Sequence, residues 1–91
     1  MVLFEFNEEK NILLKEERGV NFEDILEAIK NGDILDNIEN KKYKNQKVYV
    51  IKIKKYAYAV PYIVTKEGNI FLKTLYPSRK LTKQYINKHN E

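Results

Sequence analysis

Positively charged residues and tyrosines are concentrated in the second half of this 91-residue chain. Residues 41–90 contain thirteen Lys or Arg and one acid, Glu67, whereas residues 1–40 contain eleven Asp or Glu and four bases. All seven tyrosines lie in the basic part. Because cations bind phosphates and aromatic rings stack on unpaired bases, this combination favours a nucleic acid as the partner. A solvated lysine-rich surface without a ligand is the alternative.

Cations and tyrosines are also the groups with which RNA can be cleaved without a metal ion. The ribose 2′-OH must lose a proton, the phosphate must be stabilised as its negative charge grows, and the departing 5′-oxygen must gain a proton. Cations placed where charge develops meet the second need. A lysine desolvated among other cations can exchange protons near neutral pH. The basic half offers these groups, and no Ser–His–Asp set competes with them.

The catalytic candidates are three cations near the C-terminus, Arg79, Lys80 and Lys73. Arg79 can bind a phosphate through two parallel hydrogen bonds, and it begins a predicted helix whose N-terminal N–H groups attract anions. Lys80 is its neighbour and a second cation for the same phosphate. Lys73 interrupts an apolar strand between Phe71 and Leu75, where it either points into a cleft or snorkels at the surface. Each of the three could also be a plain surface cation.

The predicted RNA-binding residues surround these cations. They are Lys52, Lys54, Tyr76, Lys83 and Tyr85, with Arg18 and Thr82 as additional candidates. Lys52 and Lys54 share one face of a predicted strand and could line the same groove, although charges that protect a strand edge are the favoured explanation. The two tyrosines could stack a base, but packing in or beside the core is the commoner role for this residue.

Two further basic residues, Arg18 and His89, are weaker candidates for a functional role. Arg18 lies at a predicted helix C-terminus, where a positive charge stabilises the helix dipole. His89 is the only imidazole, but it is the third residue from a chain end that is prone to fraying, which argues against a general-base role.

Composition excludes several other classes of protein. The chain has no cysteine, one His and one Met, which argues against a disulfide framework and against a transition-metal site. The longest apolar run, Tyr56 to Val64, contains Pro61 and is too short to cross a membrane. No secretion signal is recognisable at the N-terminus. We therefore expect one cytoplasmic domain, residues 1–91, that needs no cofactor and does not bind a membrane.

The elements that must position these residues follow from local sequence signals. A short strand over Val2–Phe6 precedes a helix that Asn7 caps and Gly19 ends, and a second helix runs from Asn21 to Gly32. Further strands are predicted around Ile34–Ile38, Val48–Ile53, Ala57–Val64 and Ile70–Tyr76, followed by a last helix over Arg79–Lys88. The order β-α-α-β-β-β-β-α predicts an α+β fold, an antiparallel sheet with the helices on one side.

Two patches of sequence, one near each end, carry a family resemblance. The first reads Phe-Glu-Phe-Asn-Glu-Glu-Lys-Asn over residues 4–11 and continues with Arg-Gly-Val-Asn-Phe-Glu over residues 18–23. The second reads Ser-Arg-Lys-Leu-Thr over residues 78–82. Together with the element order, these patches resemble the BrnT family of bacterial type II toxins, which are ribonucleases with a RelE-like fold.

The resemblance implies a function, and its departures supply the alternative. It implies a toxin that cleaves RNA to inhibit translation, with a cognate antitoxin of ribbon-helix-helix type encoded beside it. It also implies that the active site lies around Arg79 and Lys80. Arg18 stands where the family usually has His, and the glutamate common in the family's last helix has no counterpart near Gln84. These departures favour the alternative, a non-catalytic RNA-binding or regulatory protein of the same fold.

Overall fold

Three helices and a mixed sheet of six strands make up residues 2–87, the part of the chain that this computed structural model describes. In chain order the elements are β1 (Phe4–Glu5), α1 (Glu8–Arg18), α2 (Phe22–Lys30), β2 (Ile34–Glu39), β3 (Lys47–Ile53), β4 (Tyr56–Val64), β5 (Ile70–Leu72), β6 (Tyr76–Pro77) and α3 (Arg79–Tyr85). The predicted α+β class is confirmed.

The two N-terminal helices begin and end at the residues that the sequence indicates. The Asn7 side chain caps α1, and Gly19, with φ of 74°, ends it in the left-handed conformation that glycine adopts without strain. Asn21 and Asp24 form a reciprocal capping box at the start of α2. Within residues 2–87, no helix is both long and apolar enough to cross a membrane.

A hairpin of β3 and β4 is the centre of the sheet. Its register runs from Lys47 opposite Tyr62 to Ile53 opposite Tyr56, and the two strands are joined by a two-residue turn. Lys54 lies in that turn with φ of 60°. The prediction that Lys54 shares a strand face with Lys52 is therefore wrong, because the strand ends one residue earlier.

The order of strands is β1-β5-β4-β3-β2, with β6 beside β4. All pairs are antiparallel except β1 with β5, in which Phe4 lies opposite Ile70 in a parallel register. The predicted purely antiparallel sheet is wrong at this edge. Two helices and three strands separate β1 from β5 along the chain, so no hairpin turn dictates their relative direction.

Helices cover both faces of the sheet. Phe22 and Ile25 of α2 pack in one buried cluster with Ile51, Val60 and Leu72, and all five are fully buried. The α3 helix lies on the opposite face, where Leu81 and Tyr85 line a cavity together with Val48 and Ala59, whose side chains point away from the α2 cluster. The Thr82 hydroxyl of α3 accepts a hydrogen bond from the backbone N–H of Ala57. The prediction of helices on one side is therefore wrong.

The physical reason is visible in the central strands. Residues 48–51 are buried without interruption, and so are residues 59–62. A strand that is apolar on both faces needs cover on both faces, whereas a one-sided arrangement requires alternating polar residues.

The strand predicted over Ile70–Tyr76 is divided into β5 and β6. Leu72 and Leu75 are both buried in the same cluster although they are three positions apart, which strict alternation does not allow. The chain between them leaves the regular ladder, and the Lys73 backbone N–H bonds to the Pro61 carbonyl at 2.8 Å. Helix α3 ends at Tyr85. Its predicted extension to Lys88, and His89, lie outside the described residues.

Candidate nucleic-acid interface

A polar groove separates the β2–β3 loop, residues 40–46, from the segment that connects β5 to β6. Its volume is about 430 Å³, and we call it the central groove. It is lined by Lys10, Asn40, Lys42, Tyr43, Gln46, Pro61, Lys73, Thr74 and Tyr76. Among these described residues three are lysines and none is acidic, so the groove carries uncompensated positive charge.

The central groove continues into a depression at each end. Toward α1 it shares Lys10, Lys73 and Thr74 with a cavity of about 550 Å³, the α1 groove, which Arg18 also lines. Toward α3 it shares Asn40, Lys42 and Tyr76 with a cavity of about 530 Å³, the α3 groove, which Lys80 and Tyr85 also line. Because neighbouring sections share residues, the three form one track across the molecule.

Cations and exposed aromatic rings lie side by side in the central groove. Tyr43 is 49% exposed and Tyr76 is 43% exposed. The Lys42 Nζ lies 5.5 Å from the centroid of the Tyr43 ring, and the Lys73 Nζ lies at the same distance from the Phe71 ring. A phosphate held by these ammonium groups would leave its base beside a ring, which is how single-stranded nucleic acids are bound.

One side chain, Asn40, organises the β2–β3 loop. Its Oδ1 accepts hydrogen bonds from the backbone N–H groups of Lys42 and Tyr43 at 2.9 and 3.1 Å. Its Nδ2 donates to Gln46 Oε1 at 3.3 Å, and the Gln46 N–H donates to the Tyr43 carbonyl at 3.1 Å. The loop that carries Lys42 and Tyr43 is therefore fixed by local hydrogen bonds, although it has no regular secondary structure.

At the α3 end of the track, the Tyr85 hydroxyl donates a hydrogen bond of 2.5 Å to Asp36 Oδ2. This bond raises the pKa of Tyr85, and it lowers the pKa of Asp36, to which the Asn37 backbone N–H also donates. The hydroxyl of Tyr85 is therefore a poorer acid than a free phenol. Its ring still lines the α3 groove beside Lys80.

Other tyrosines serve the core. Tyr49 and Tyr62 stack with ring centroids 4.2 Å apart, and the Tyr62 hydroxyl donates to Asn37 Oδ1 at 2.9 Å. Burial raises the pKa of Tyr49 to about 12. The concentration of tyrosines in the basic half thus combines two roles, a packed pair within the sheet and the exposed rings of the groove.

The structure brings together some of the predicted site residues. Lys73, Tyr76, Lys80 and Tyr85 line the track, and Arg18 lies at its α1 end. Arg79 and Lys83 are exposed on α3 but are not among the residues that line it. The first choice for the phosphate clamp, Arg79, is therefore separated from the groove that its neighbour Lys80 enters.

Two other predicted residues lie elsewhere. Lys52 and Lys54 do line one groove together, but it is a different groove, which we call the α2 groove. Its charged residues are Lys15, Asp24, Glu27, Asp33, Lys52 and Lys54, three cations against three acids. The expected shared groove with Lys73 is thus not formed, because the β3–β4 hairpin places its turn at the opposite end of the sheet from the β2–β3 loop.

Thr82 is inside the protein. It is 4% exposed, its hydroxyl accepts from the Ala57 N–H at 2.9 Å, and it donates to the Ser78 carbonyl at 2.7 Å. One hydrogen bond of the hydroxyl attaches α3 to β4 and the other is made to the N-cap residue of α3, so Thr82 is a structural residue rather than an RNA contact.

Three cationic or aromatic residues of the central groove were not predicted from the sequence: Lys10, Lys42 and Tyr43. Lys10 belongs to the acidic half of the chain, where the charge pattern gives no indication of a phosphate site. Tyr43 carried a usable signal, since it is the only aromatic residue in the polar stretch from Glu39 to Gln46 and Lys42 precedes it.

Within residues 2–87, no three His, Cys, Asp or Glu side chains are grouped so that they could hold a metal ion. Comparisons with protein-family models, with curated proteins and with solved structures found no match for this chain.

Proposed function

We propose that this chain is the toxin of a type II toxin–antitoxin system, an endoribonuclease that works without a metal ion and inhibits translation by cleaving RNA. The observation that carries the proposal is the central groove, with three lysines, two exposed tyrosines and no acid among its lining residues. The toxin assignment and a RelE-like topology come from the two sequence patches that resemble the BrnT family.

The proposed reaction is an internal transesterification. The ribose 2′-oxygen attacks the adjacent phosphorus, so a bond from phosphorus to the 2′-oxygen forms while the bond to the 5′-oxygen breaks. The 2′-OH proton passes to a base, and the leaving 5′-oxygen takes up a proton. The products are a 2′,3′-cyclic phosphate and a 5′-hydroxyl. Lysine ammonium groups beside the phosphate stabilise the charge that grows on its oxygens.

The cations divide into two groups in this proposal. Lys73 lies where the α1 groove meets the central groove, and Lys80 lines the α3 groove. These two lysines are the proposed catalytic cations. Arg79 is an exposed cation at the start of α3, where it can hold a phosphate of the strand as it leaves the α3 groove. Arg18 and Lys83 have the same supporting role at the two ends.

The proposed protein partner is a ribbon-helix-helix antitoxin that covers the central groove with acidic residues and an apolar helix. Expression of the chain alone should arrest growth and degrade RNA, and co-expression with the neighbouring gene should restore both. A neighbouring gene that encodes a small acidic protein would support the assignment. Normal growth and intact RNA under strong expression of the folded chain would argue against a toxin.

Purified protein tests the chemistry directly. We expect it to cut a labelled single-stranded RNA in the presence of a chelator and to leave 2′,3′-cyclic phosphate ends. Lys73→Gln and Lys80→Gln should each slow cleavage, whereas Lys55→Gln, which removes an exposed lysine from the β3–β4 turn, should not. If Arg79→Ala and Lys80→Ala variants were as active and as toxic as the original protein, the site assignment would be contradicted.

A non-catalytic RNA-binding protein is the second candidate. Two observations favour it: no histidine is among the described residues that line the track, and the Tyr85 hydroxyl is bound to Asp36. This candidate predicts salt-dependent binding of RNA with no cleavage products at any protein concentration.

A further inference from the structure

We infer that the β2–β3 loop, residues 40–46, is a preformed clamp for an unpaired RNA strand, in which Tyr43 stacks a base and Lys42 holds the adjoining phosphate. The inference rests on the proposed function only in taking RNA as the ligand. It adds the class of RNA, single-stranded rather than duplex, and it assigns binding to residues outside the two sequence patches.

The position of the rings favours an unpaired strand. Tyr43 comes from the loop and Tyr76 from β6, so the two half-exposed rings belong to different walls of the same groove. A base can insert against such rings only if its faces are not already stacked in a helix. Recognition by aromatic side chains is accordingly a property of single strands, loops and ends, and duplex RNA is read through its shape and backbone instead.

The charges supply the second half of the site. Lys10 and Lys73 line the groove together with Lys42, and no acid offsets them among its lining residues. The Lys42 ammonium group lies 5.5 Å from the centroid of the Tyr43 ring, so one nucleotide can contact both side chains. An acidic peptide would satisfy the lysines but would leave the tyrosine rings in water, so RNA accounts for more of the site.

Hydrogen bonds within the loop make the clamp rigid before RNA arrives. The Asn40 side chain bonds to the backbone N–H groups of Lys42 and Tyr43 and to the Gln46 side chain. Ordering a flexible loop on binding reduces affinity, and a loop that is already ordered avoids this loss. Asn40 is therefore a positioning residue, which acts on RNA through Tyr43 and Lys42.

The test measures binding of fluorescent 2′-O-methyl RNA, which cannot undergo attack by a 2′-hydroxyl, by anisotropy. A single strand and a duplex of the same sequence are compared at equal salt. We expect the single strand to bind more tightly. Tyr43→Ala should weaken its binding by roughly 5- to 150-fold, the effect of losing one stacked base, and Tyr43→Phe should bind like the original protein. Asn40→Ala should weaken binding although it removes neither a charge nor a ring.

Matched controls separate the clamp from general changes in the protein. Tyr56→Ala removes another exposed tyrosine, at the start of β4 beside the β3–β4 turn, and should leave affinity unchanged. Lys42→Gln should reduce the slope of log K against log salt concentration by about 0.7, the effect of one phosphate contact on a single strand. Tyr43→Ala should leave that slope unchanged, because stacking releases no counterion.

Three outcomes would overturn the inference: equal binding of single strand and duplex, unchanged affinity of Tyr43→Ala, or displacement of RNA by poly-glutamate at equal charge concentration. The last outcome would point to an acidic protein partner instead. These outcomes are independent of cleavage, because the probe is inert. Tight single-strand binding with no cleavage of ordinary RNA would contradict the nuclease proposal and support the clamp. Cleavage by Tyr43→Ala at an unchanged rate and KM would support the nuclease proposal and contradict the clamp.

Discussion

Two grooves of this molecule contain the same number of lysines but differ in charge. The central groove has Lys10, Lys42 and Lys73, and the α2 groove has Lys15, Lys52 and Lys54. Only the second also contains Asp24, Glu27 and Asp33, and the Lys15 Nζ lies 3.8 Å from Asp24 Oδ2. A phosphate is attracted by charge that is not already compensated. The number of lysines in a stretch of sequence is therefore a poor guide to a site, and their neighbours in space decide the matter.

Among the variants that compare the two grooves, the largest effect is expected when lysines are removed from each groove in turn. Lys42→Gln with Lys73→Gln should weaken single-stranded RNA binding about 25-fold in ~0.1 M salt, because each lost phosphate contact removes about 0.7 from log K per tenfold of salt. Lys52→Gln with Lys54→Gln removes the same charge from the chain and should change affinity by less than about threefold. Filter binding or anisotropy at several salt concentrations measures both.

One result would contradict the distinction between the two grooves. If both reduce affinity and salt slope equally, binding follows the net charge of the whole chain, and the distinction between the grooves has no functional meaning. Circular dichroism of the four lysine substitutions should be unchanged, since all four side chains are exposed.

The next effect concerns stability rather than affinity. It compares the residues that line the track with Thr82, which attaches α3 to the sheet. Thr82→Val keeps the shape of the side chain but leaves the buried Ala57 N–H without its partner. We expect the free energy of unfolding to fall by about 1–2 kcal/mol, the cost of an unsatisfied buried donor. RNA affinity of the folded protein should stay the same. If affinity fell while the free energy of unfolding stayed the same, Thr82 would have to be an RNA contact.

The sequence predicts the elements of this fold well, since their signals are local. Asn7 and Gly19 bound α1 because capping depends only on neighbouring residues. The parallel pairing of β1 with β5 depends on contacts between residues more than sixty positions apart, and no local pattern encodes it. The position of α3 could have been derived from the uninterrupted apolar runs of β3 and β4, which require cover on both faces.

The site was predicted only in part, because it too depends on contacts between residues that are distant in sequence. Lys73, Tyr76 and Lys80 were selected from their chemistry, and they do line the track. Lys10 joins them from the acidic half only because α1 packs beside the segment after β5. Lys52 was assigned to the wrong groove because periodicity gives the face of a strand but not which loops or helices border it.

A smaller effect is expected when charge is added to the α2 groove. Glu27→Lys reverses an exposed acid and changes that groove from three cations against three acids to four against two. Because one new phosphate contact is worth about fivefold in ~0.1 M salt, RNA affinity should rise by no more than that. The gain should vanish at high salt. A larger gain, or one that resists salt, would mean that the α2 groove already binds RNA.

The smallest effect concerns Asp36, which accepts a hydrogen bond from Tyr85, a residue that lines the α3 groove. The hydrogen bond from Tyr85 lowers the pKa of Asp36, so the unfolded chain binds a proton at this carboxyl more readily than the folded one. The resulting stabilisation is fully present above the ordinary aspartate pKa of about 3.9 and is lost as pH falls below it and through the lowered pKa of folded Asp36. Tyr85→Phe should therefore destabilise the protein slightly at pH 6 and not at pH 2, as measured by urea unfolding. An equal loss at both pH values would mean that the Tyr85 hydroxyl stabilises the protein independently of the charge on Asp36.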